Sequence, residues 1–241
     1  MRDKAIKRRE FLKGALAGGA VAAGCTSSAG VTPGKATSPA PPSRAAAGAD
    51  APLRFFTAAE AAFVAAMVDH MVPADELSPK GSDLGVDVYI DRALAGPWGR
   101  GEALYLKGPF KQGTPNQGYQ LPYSPAEIYR AGIKATDRHC VATYGRPFAD
   151  LQESEREAML RGLDAATIRF GDGPPAKIFF ELAYRTVMEG LFADPVHGGN
   201  RGKAGWKMVG FPGAPAAYRD RLGKFRDRPY TAEPAGIGDK S

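Results

Sequence analysis

The sequence predicts an all-α fold, in which a single compact helical domain carries long irregular loops. Several segments place apolar residues at helical spacing directly behind helix-capping residues, and no alternating apolar run of strand length stands out. Composition and spacing divide the chain into four parts: an export signal at 1–25, a disordered linker at 26–52, the helical domain at 53–220 and a tail at 221–241.

The first 25 residues are typical of a bacterial export signal, with a basic stretch followed by an apolar run in which Ala and Gly dominate. Arg8 and Arg9, with Phe11 and Leu12 behind them, resemble a twin-arginine signal, although Lys7 stands where that pattern usually has Ser or Thr. Such signals address a translocation machinery that exports folded proteins. A cytosolic basic amphipathic start is disfavoured because the run shows no polar face at helical spacing.

The apolar run is far shorter than the about 20 residues that span a bilayer. The stretch Ala22-Ala23-Gly24-Cys25 resembles a lipobox, in which Cys25 is lipidated. The alternative is cleavage by a soluble-protein signal peptidase at Ala20-Val21-Ala22 or Ala45-Ala46-Ala47. We therefore expect a periplasmic protein, which would be attached to the inner membrane if Cys25 is lipidated.

Charge and cysteine content exclude two broad classes. Residues 1–25 hold six basic and two acidic side chains, so most of the net charge of +6 belongs to the signal. The rest of the chain is too balanced for a nucleic-acid reader. If Cys25 is lipidated or removed, Cys140 has no intrachain partner, so no disulfide framework holds the fold. We expect Cys140 to be buried as a small apolar group, the alternative being a bond to another chain.

The linker at 26–52 is Ala, Ser, Thr, Pro and Gly with almost no large apolar side chain, a composition that cannot offset the entropy of ordering. The first helix behind it starts at the capping box Thr57-Ala-Ala-Glu60 and stops before Pro73. A second helix starts near Ser82 or Asp83 and ends at Gly96-Pro97. Its inward residues are Val86, Ile90 and Leu94.

An aperiodic stretch from Trp98 to Tyr123 mixes Gly, Pro, Gln and aromatic residues, and we expect it to cover a surface. A second capping box, Ser124-Pro-Ala-Glu127, opens the third helix. That helix is predicted to carry one large apolar stripe and one small-residue stripe. The large stripe is Tyr129, Ile133, Thr136, Cys140 and Tyr144, and the small one is Gly132, Ala135, His139 and Ala142.

The fourth helix is predicted from about Glu153 to Ile168, and the fifth from Ala176 to Phe192. The fifth is apolar on nearly every side, which is typical of a central core helix or of one lying under another subunit. The Gly-rich stretch behind it, residues 192–213, is predicted to be a tightly folded irregular segment.

The sequence carries little catalytic or metal-binding chemistry. It contains no Gly-x-Ser-x-Gly, Gly-x-Gly-x-x-Gly, phosphate-loop or Cys-x-x-Cys-His motif. Asp69, His70 and Asp75 could converge on a metal, but polar capping explains them adequately and is the favoured interpretation. His139 is expected to be a packed, hydrogen-bonded side chain. His197 could act as a general base in its loop or could simply belong to a turn.

Ordered segments across residues 53 to 218 resemble the small subunit, subunit 3, of gluconate 2-dehydrogenase-type complexes. The most specific are His197-Gly-Gly-Asn-Arg201, where the family more often has Tyr before the glycines, and Gly205-Trp-Lys-Met-Val-Gly-Phe-Pro-Gly213. Supporting segments are Val72-Pro-Ala-Asp-Glu76, Ser78-Pro79, Gly85 to Asp91, Gly108-Pro109, Gly118-Tyr-Gln120, Phe148 to Leu151 and Phe192-Ala-Asp-Pro195.

The resemblance implies a non-catalytic subunit of an exported sugar or sugar-acid dehydrogenase. In such a complex a GMC-type large subunit carries FAD, and a cytochrome c subunit carries haem c. The small subunit carries the twin-arginine signal and helps to mature and export the flavoprotein. This chain would then bind no cofactor or metal itself.

Three functional hypotheses follow. In the first, the chain binds the flavoprotein through the 98–123 and 192–213 segments. The candidate interface residues are Phe110, Tyr119, His197, Asn200, Trp206 and Phe211. In the second, it is a stand-alone periplasmic enzyme or small-molecule-binding protein that uses His197. A lipid-anchored envelope protein with a purely structural role is a third possibility.

Overall fold

The computed structural model describes residues 52–171, 173–214, 219–229 and 233–239. These residues fold into helices joined by loops, and their only β-pairing is an isolated bridge between Gly213 and Ala235. The all-α prediction is confirmed, whereas the predicted signal and the predicted linker up to residue 51 lie outside the described residues. The helices are α1 (Ala58–Met71), α2 (Val86–Ala95), α3 (Pro125–Tyr144), α4 (Glu153–Asp164), α5 (Ala176–Phe192), α6 (Ala204–Val209) and α7 (Arg219–Leu222).

Reciprocal capping boxes fix the starts of α1 and α3. Thr57 Oγ1 accepts from Glu60 N at 3.3 Å, and the Glu60 carboxylate accepts from Thr57 N at 2.8 Å. Ser124 and Glu127 form the same pair of bonds in front of α3. Each box satisfies amide donors that the first helical turn leaves free, so both predicted starts are confirmed.

Two predicted boundaries are wrong, for local reasons. Helix α2 begins at Val86 rather than near Ser82, because the preceding residues form a turn that ends at Gly85 in the left-handed region, with φ +74°. Helix α4 ends at Asp164 rather than Ile168. There the amides of Thr167 and Ile168 both fold back onto Gly162 O, at 3.0 and 3.2 Å.

An aromatic cluster forms the centre of the core, where α1, α3 and α5 meet. Phe179 of α5 contacts Tyr129 edge-on at 5.8 Å between ring centroids, and Phe63 lies 4.6 Å from Phe148. Gly132 of α3 makes room for Phe179, since a Cβ at that position would overlap the ring. The small-residue stripe on α3 is confirmed at Gly132 and Ala135 but not at Ala142, which is exposed.

Helix α5 has one buried face and one solvated face. Phe179, Val187 and Leu191 are fully buried, but Tyr184 is 42% exposed and stacks on Phe180 with 6.3 Å between ring centroids. The outer face also carries the ion pairs Lys177–Glu181 and Arg185–Glu189. This chain alone therefore does not enclose the helix, and the alternative that another subunit covers its outer aromatic pair stays a prediction.

The single described cysteine, Cys140, is fully buried and free, as predicted. Burial raises the pKa of its thiol to about 12. A thiol with such a pKa carries almost no thiolate at neutral pH, and the thiolate is the nucleophile. Cys140 therefore acts as a small apolar packing residue.

A buried carboxylate joins α2 to the segment in front of α1. Asp91 is 4% exposed, and its two oxygens accept hydrogen bonds from the backbone amides of Arg54, Phe55 and Phe56 at 2.7, 3.0 and 2.9 Å. The amide of a fourth residue, Thr57, is bound by Glu60. The chain entering α1 is therefore held at every backbone donor from 54 to 57.

None of the helices in the described ranges is both long and apolar enough to cross a membrane.

Candidate partner interface

The segment that follows α5, residues 192–213, folds around the side chain of Asn200. Its Nδ2 donates to Ala193 O at 2.8 Å, and its Oδ1 accepts from Gly205 N at 2.8 Å. Asn200 is fully buried and has φ +48°, a left-handed conformation that Asn tolerates better than most residues. The Asn200 side chain thus links the backbone just after α5, at Ala193, to the start of α6, at Gly205.

Glycines bring this loop into backbone contact with α2 and α5. A Cβ at Gly199 would overlap the carbonyl of Gly190 in α5, and a Cβ at Gly85 would overlap that of Gly198. The amide of Arg201 donates to Leu84 O at 3.0 Å across the same junction. Residues 198–201 can therefore lie this close to α2 and α5 only because Gly85 and Gly199 have no side chain.

Gly199→Ala is expected to lower the free energy of unfolding by about 2 kcal/mol, because a methyl group must push apart two backbones and overpacking typically costs that much. Gly202→Ala is the matched control. Gly202 has φ +66° and open space around it, so only left-handed strain, about 1 kcal/mol, applies. Urea unfolding followed by circular dichroism measures both. A loss for Gly199→Ala no larger than for Gly202→Ala would contradict the close approach.

Trp206 lies beneath the outer surface of this segment. It is 4% exposed, and its Nε1–H donates to Phe192 O at 2.7 Å, which satisfies a carbonyl that the end of α5 leaves free. Phe211 packs edge-on against it at 5.3 Å and is 42% exposed. The indole thus supports an outward-facing phenyl ring.

Part of the predicted tail packs onto the same segment. Lys203 Nζ donates to Pro234 O at 2.9 Å and forms an ion pair with Asp239. The Asp194 carboxylate accepts from Ile237 N at 2.7 Å. Residues 233–239 therefore belong to this surface.

An open cleft of about 570 Å³ lies where α2 meets the end of α5. Glu189 in its wall is already paired with Arg185, with 3.5 Å between Oε1 and Nε. Burial, with help from the Glu189 carboxylate, raises the pKa of Tyr89, so its hydroxyl stays protonated at neutral pH. The lining residues are Tyr89, Arg92, Ala93, Glu189, Phe192, Ala193 and His197.

The 98–123 loop is irregular apart from a 3-10 turn at Pro115–Gln117. Its outer side exposes Tyr105 by 73% and Phe110 by 36%, while Tyr119 packs against the core. The Tyr119 hydroxyl is buried without a hydrogen-bond partner in the described part of the chain, and burial raises its pKa. The loop thus covers the helices, as predicted, and also presents aromatic rings to solvent.

The family model for gluconate 2-dehydrogenase subunit 3 matches residues 58–213, which is more than half of the chain. The chain belongs to this family. The match starts at the first residue of α1 and ends at Gly213, so it includes the cleft and the 192–213 segment. Membership indicates a subunit of a gluconate 2-dehydrogenase-like complex. No curated protein and no solved structure matches the chain.

In this subunit 3 protein the candidate metal residues do not converge. His70 Nε2 bonds Glu157 at 2.8 Å, and this bond, with Arg161 contributing, lowers the pKa of Glu157. Asp69 is bound to Lys80 and to the amide of Ser82, and Asp75 caps a separate turn at Leu77 and Ser78. Within the described ranges no group of three or more His, Cys, Asp or Glu residues could hold a metal ion.

The other two histidines differ in exposure. His139 is half-buried on α3, and its ring has no hydrogen bond to the described residues, so the expected bond is not found. His197 is exposed at the mouth of the cleft, where the described residues provide no orienting partner for its ring.

The six predicted interface residues of this subunit 3 protein fall into two groups. Asn200 and Trp206 are buried, and their polar groups bind the chain's own backbone. Phe110, His197 and Phe211 are exposed, and Tyr119 is half-buried. Their role in an interface stays a prediction. The sequence did not single out Arg92, a lining residue of the cleft, because whether a cation on a helix is paired depends on what distant elements bring near it.

Proposed function

We propose that this chain is the non-catalytic small subunit of an exported FAD-dependent dehydrogenase complex that oxidises a sugar or sugar acid. In this role it accompanies the flavoprotein subunit through maturation and twin-arginine export to the periplasm. The observation that carries the proposal is the family match over residues 58–213. As the family resemblance implies, FAD would reside in a GMC-type large subunit and haem c in a cytochrome c subunit. This sequence contains neither a dinucleotide fingerprint nor a haem-attachment motif.

Exposed apolar side chains around the end of α5 support a partner role. Val196 is 53% exposed, Val209 55% and Phe211 42%, all on the segment supported by Asn200 and Trp206. Phe192, which is 36% exposed, also lines the cleft. Apolar and aromatic side chains held on a rigid support are the usual anchors of protein interfaces.

The proposal predicts that the chain, purified from its native host with an affinity tag, brings down a flavoprotein. We expect FAD absorbance in the eluate and a second polypeptide of dehydrogenase size by mass spectrometry, since an obligate subunit stays bound under mild conditions. Cells expressing the tag alone provide the control. Recovery of a colourless, lone monomer would contradict the proposal.

A further inference from the structure

Arg92 stands out among the arginines of the helical domain because it is half-buried yet unpaired. Its guanidinium forms no hydrogen bond or ion pair with any residue in the described ranges. By contrast, Arg130, Arg146 and Arg161 each bind a carboxylate. A half-buried cation without a partner is costly, since it loses water without gaining a compensating charge.

The surroundings hold Arg92 in place without neutralising it. A Cβ at Gly198 would come within 2.8 Å of Arg92 Nη1, so the guanidinium lies directly against the loop backbone. The one carboxylate in the wall of the cleft, Glu189, is paired with Arg185. With Glu189 paired to Arg185, the Arg92 guanidinium is the unpaired charge among the lining residues, which also include Tyr89 and Phe192.

We propose that Arg92 binds a carboxylate of the flavoprotein subunit, carried by an Asp or Glu that lies beside an apolar residue. A planar guanidinium matches a carboxylate through two parallel hydrogen bonds. The neighbouring rings of Tyr89 and Phe192 provide a site for the apolar residue. The inference rests on the proposed function and adds the chemistry by which the partner is recognised.

The test compares full-length tagged chains expressed in the native host, with flavin recovered per mole of tagged chain as the readout. Arg92→Gln is expected to reduce flavin recovery about tenfold or more, because it leaves a partner carboxylate unpaired in the interface. Arg92→Lys keeps the charge but loses the paired geometry, so we expect intermediate recovery. Arg161→Gln removes the same charge from an exposed ion pair on α4 and is expected to match wild type.

Thermal unfolding separates recognition from folding. Arg92 makes no bond within the described residues, so Arg92→Gln is expected to keep its Tm within about 2 °C of wild type. Wild-type flavin recovery by Arg92→Gln would overturn the inference and leave the proposed function standing. Equal loss for Arg92→Gln and Arg92→Lys, accompanied by a lowered Tm, would overturn it as well.

A further measurement distinguishes a docking surface from a small-molecule site. Gluconate, as a free carboxylate, is titrated calorimetrically into the purified wild-type chain, and we expect no saturable binding in the millimolar range. Gluconate binding that Arg92→Gln abolishes, with assembly unchanged, would overturn docking at this cleft. If the wild-type chain recovers no flavoprotein, the proposed function fails before any variant is compared.

Discussion

Asp91→Ala is expected to lower the free energy of unfolding by about 3–5 kcal/mol, the largest effect of any single substitution considered for this domain. The carboxylate is the shared acceptor for the amides of Arg54, Phe55 and Phe56, and its removal leaves three donors without a partner. Phe56 is 5% exposed and packs 6.2 Å from Tyr129 between ring centroids, so release of the segment would also expose apolar surface.

Two variants make this prediction specific. Asp91→Asn keeps one acceptor oxygen but turns an amide group towards a backbone donor, so about half of the loss is expected. Asp164→Ala removes an exposed carboxylate at the end of α4 and is expected to change stability by less than about 0.5 kcal/mol. Urea unfolding gives all three values. One hydrogen bond typically contributes about 1 kcal/mol to stability. If the free energy of unfolding of Asp91→Ala lies within about 1 kcal/mol of wild type, the three bonds together contribute little.

Replacing both Arg8 and Arg9 by Lys is expected to retain the chain and its flavoprotein in the cytoplasm. Dehydrogenase activity in the envelope should fall by about tenfold or more, because a receptor reads the arginine pair and Lys lacks the planar guanidinium. The loss of envelope activity is expected to be this large because, under the proposed function, the flavoprotein has no export signal of its own and depends on this chain for export. Fractionation followed by dye-linked dehydrogenase assays measures the distribution.

Arg2→Lys is the matched control for this experiment, since it makes the same chemical change outside the arginine pair. It should leave envelope activity at the wild-type level. Unchanged envelope activity in the Arg8→Lys, Arg9→Lys double variant would reject export through a twin-arginine signal, whereas loss of the chain alone, with flavoprotein still exported, would reject its escort role.

Local chemistry explains which helices could be predicted from the sequence. Thr57 with Glu60, and Ser124 with Glu127, define helix starts through bonds between residues three apart, so no tertiary information is needed. Where the boundary depended on a turn, as at Gly85 or beyond Asp164, periodicity alone extended the helix too far. The apolar pattern of α5 likewise could not reveal that Tyr184 faces outwards.

Tertiary contacts account for what the sequence did not show. Helix α6 is only six residues long and lies in a Gly-rich stretch, where it depends on Asn200 and on the packing of Trp206. The position of Asp91 next to Ile90 on the buried side of α2 could have indicated a buried carboxylate. The three backbone amides that bind it come from another segment, so its partners could not be predicted from α2 alone. The cleft around Arg92 arises only when α2 and α5 are brought together.

Residues 233–239 can change in sequence or be lost without disturbing the hydrophobic core of the helices. The Lys203 ammonium, the Asp194 carboxylate and the backbone bridge between Gly213 and Ala235 hold these residues, and the hydrophobic core cluster includes none of them. Proteolytic trimming or mutational drift near the carboxyl end can therefore remodel the outer contour around Phe211 and leave the packed helices intact. Related complexes could acquire different binding preferences by this route at little risk to folding.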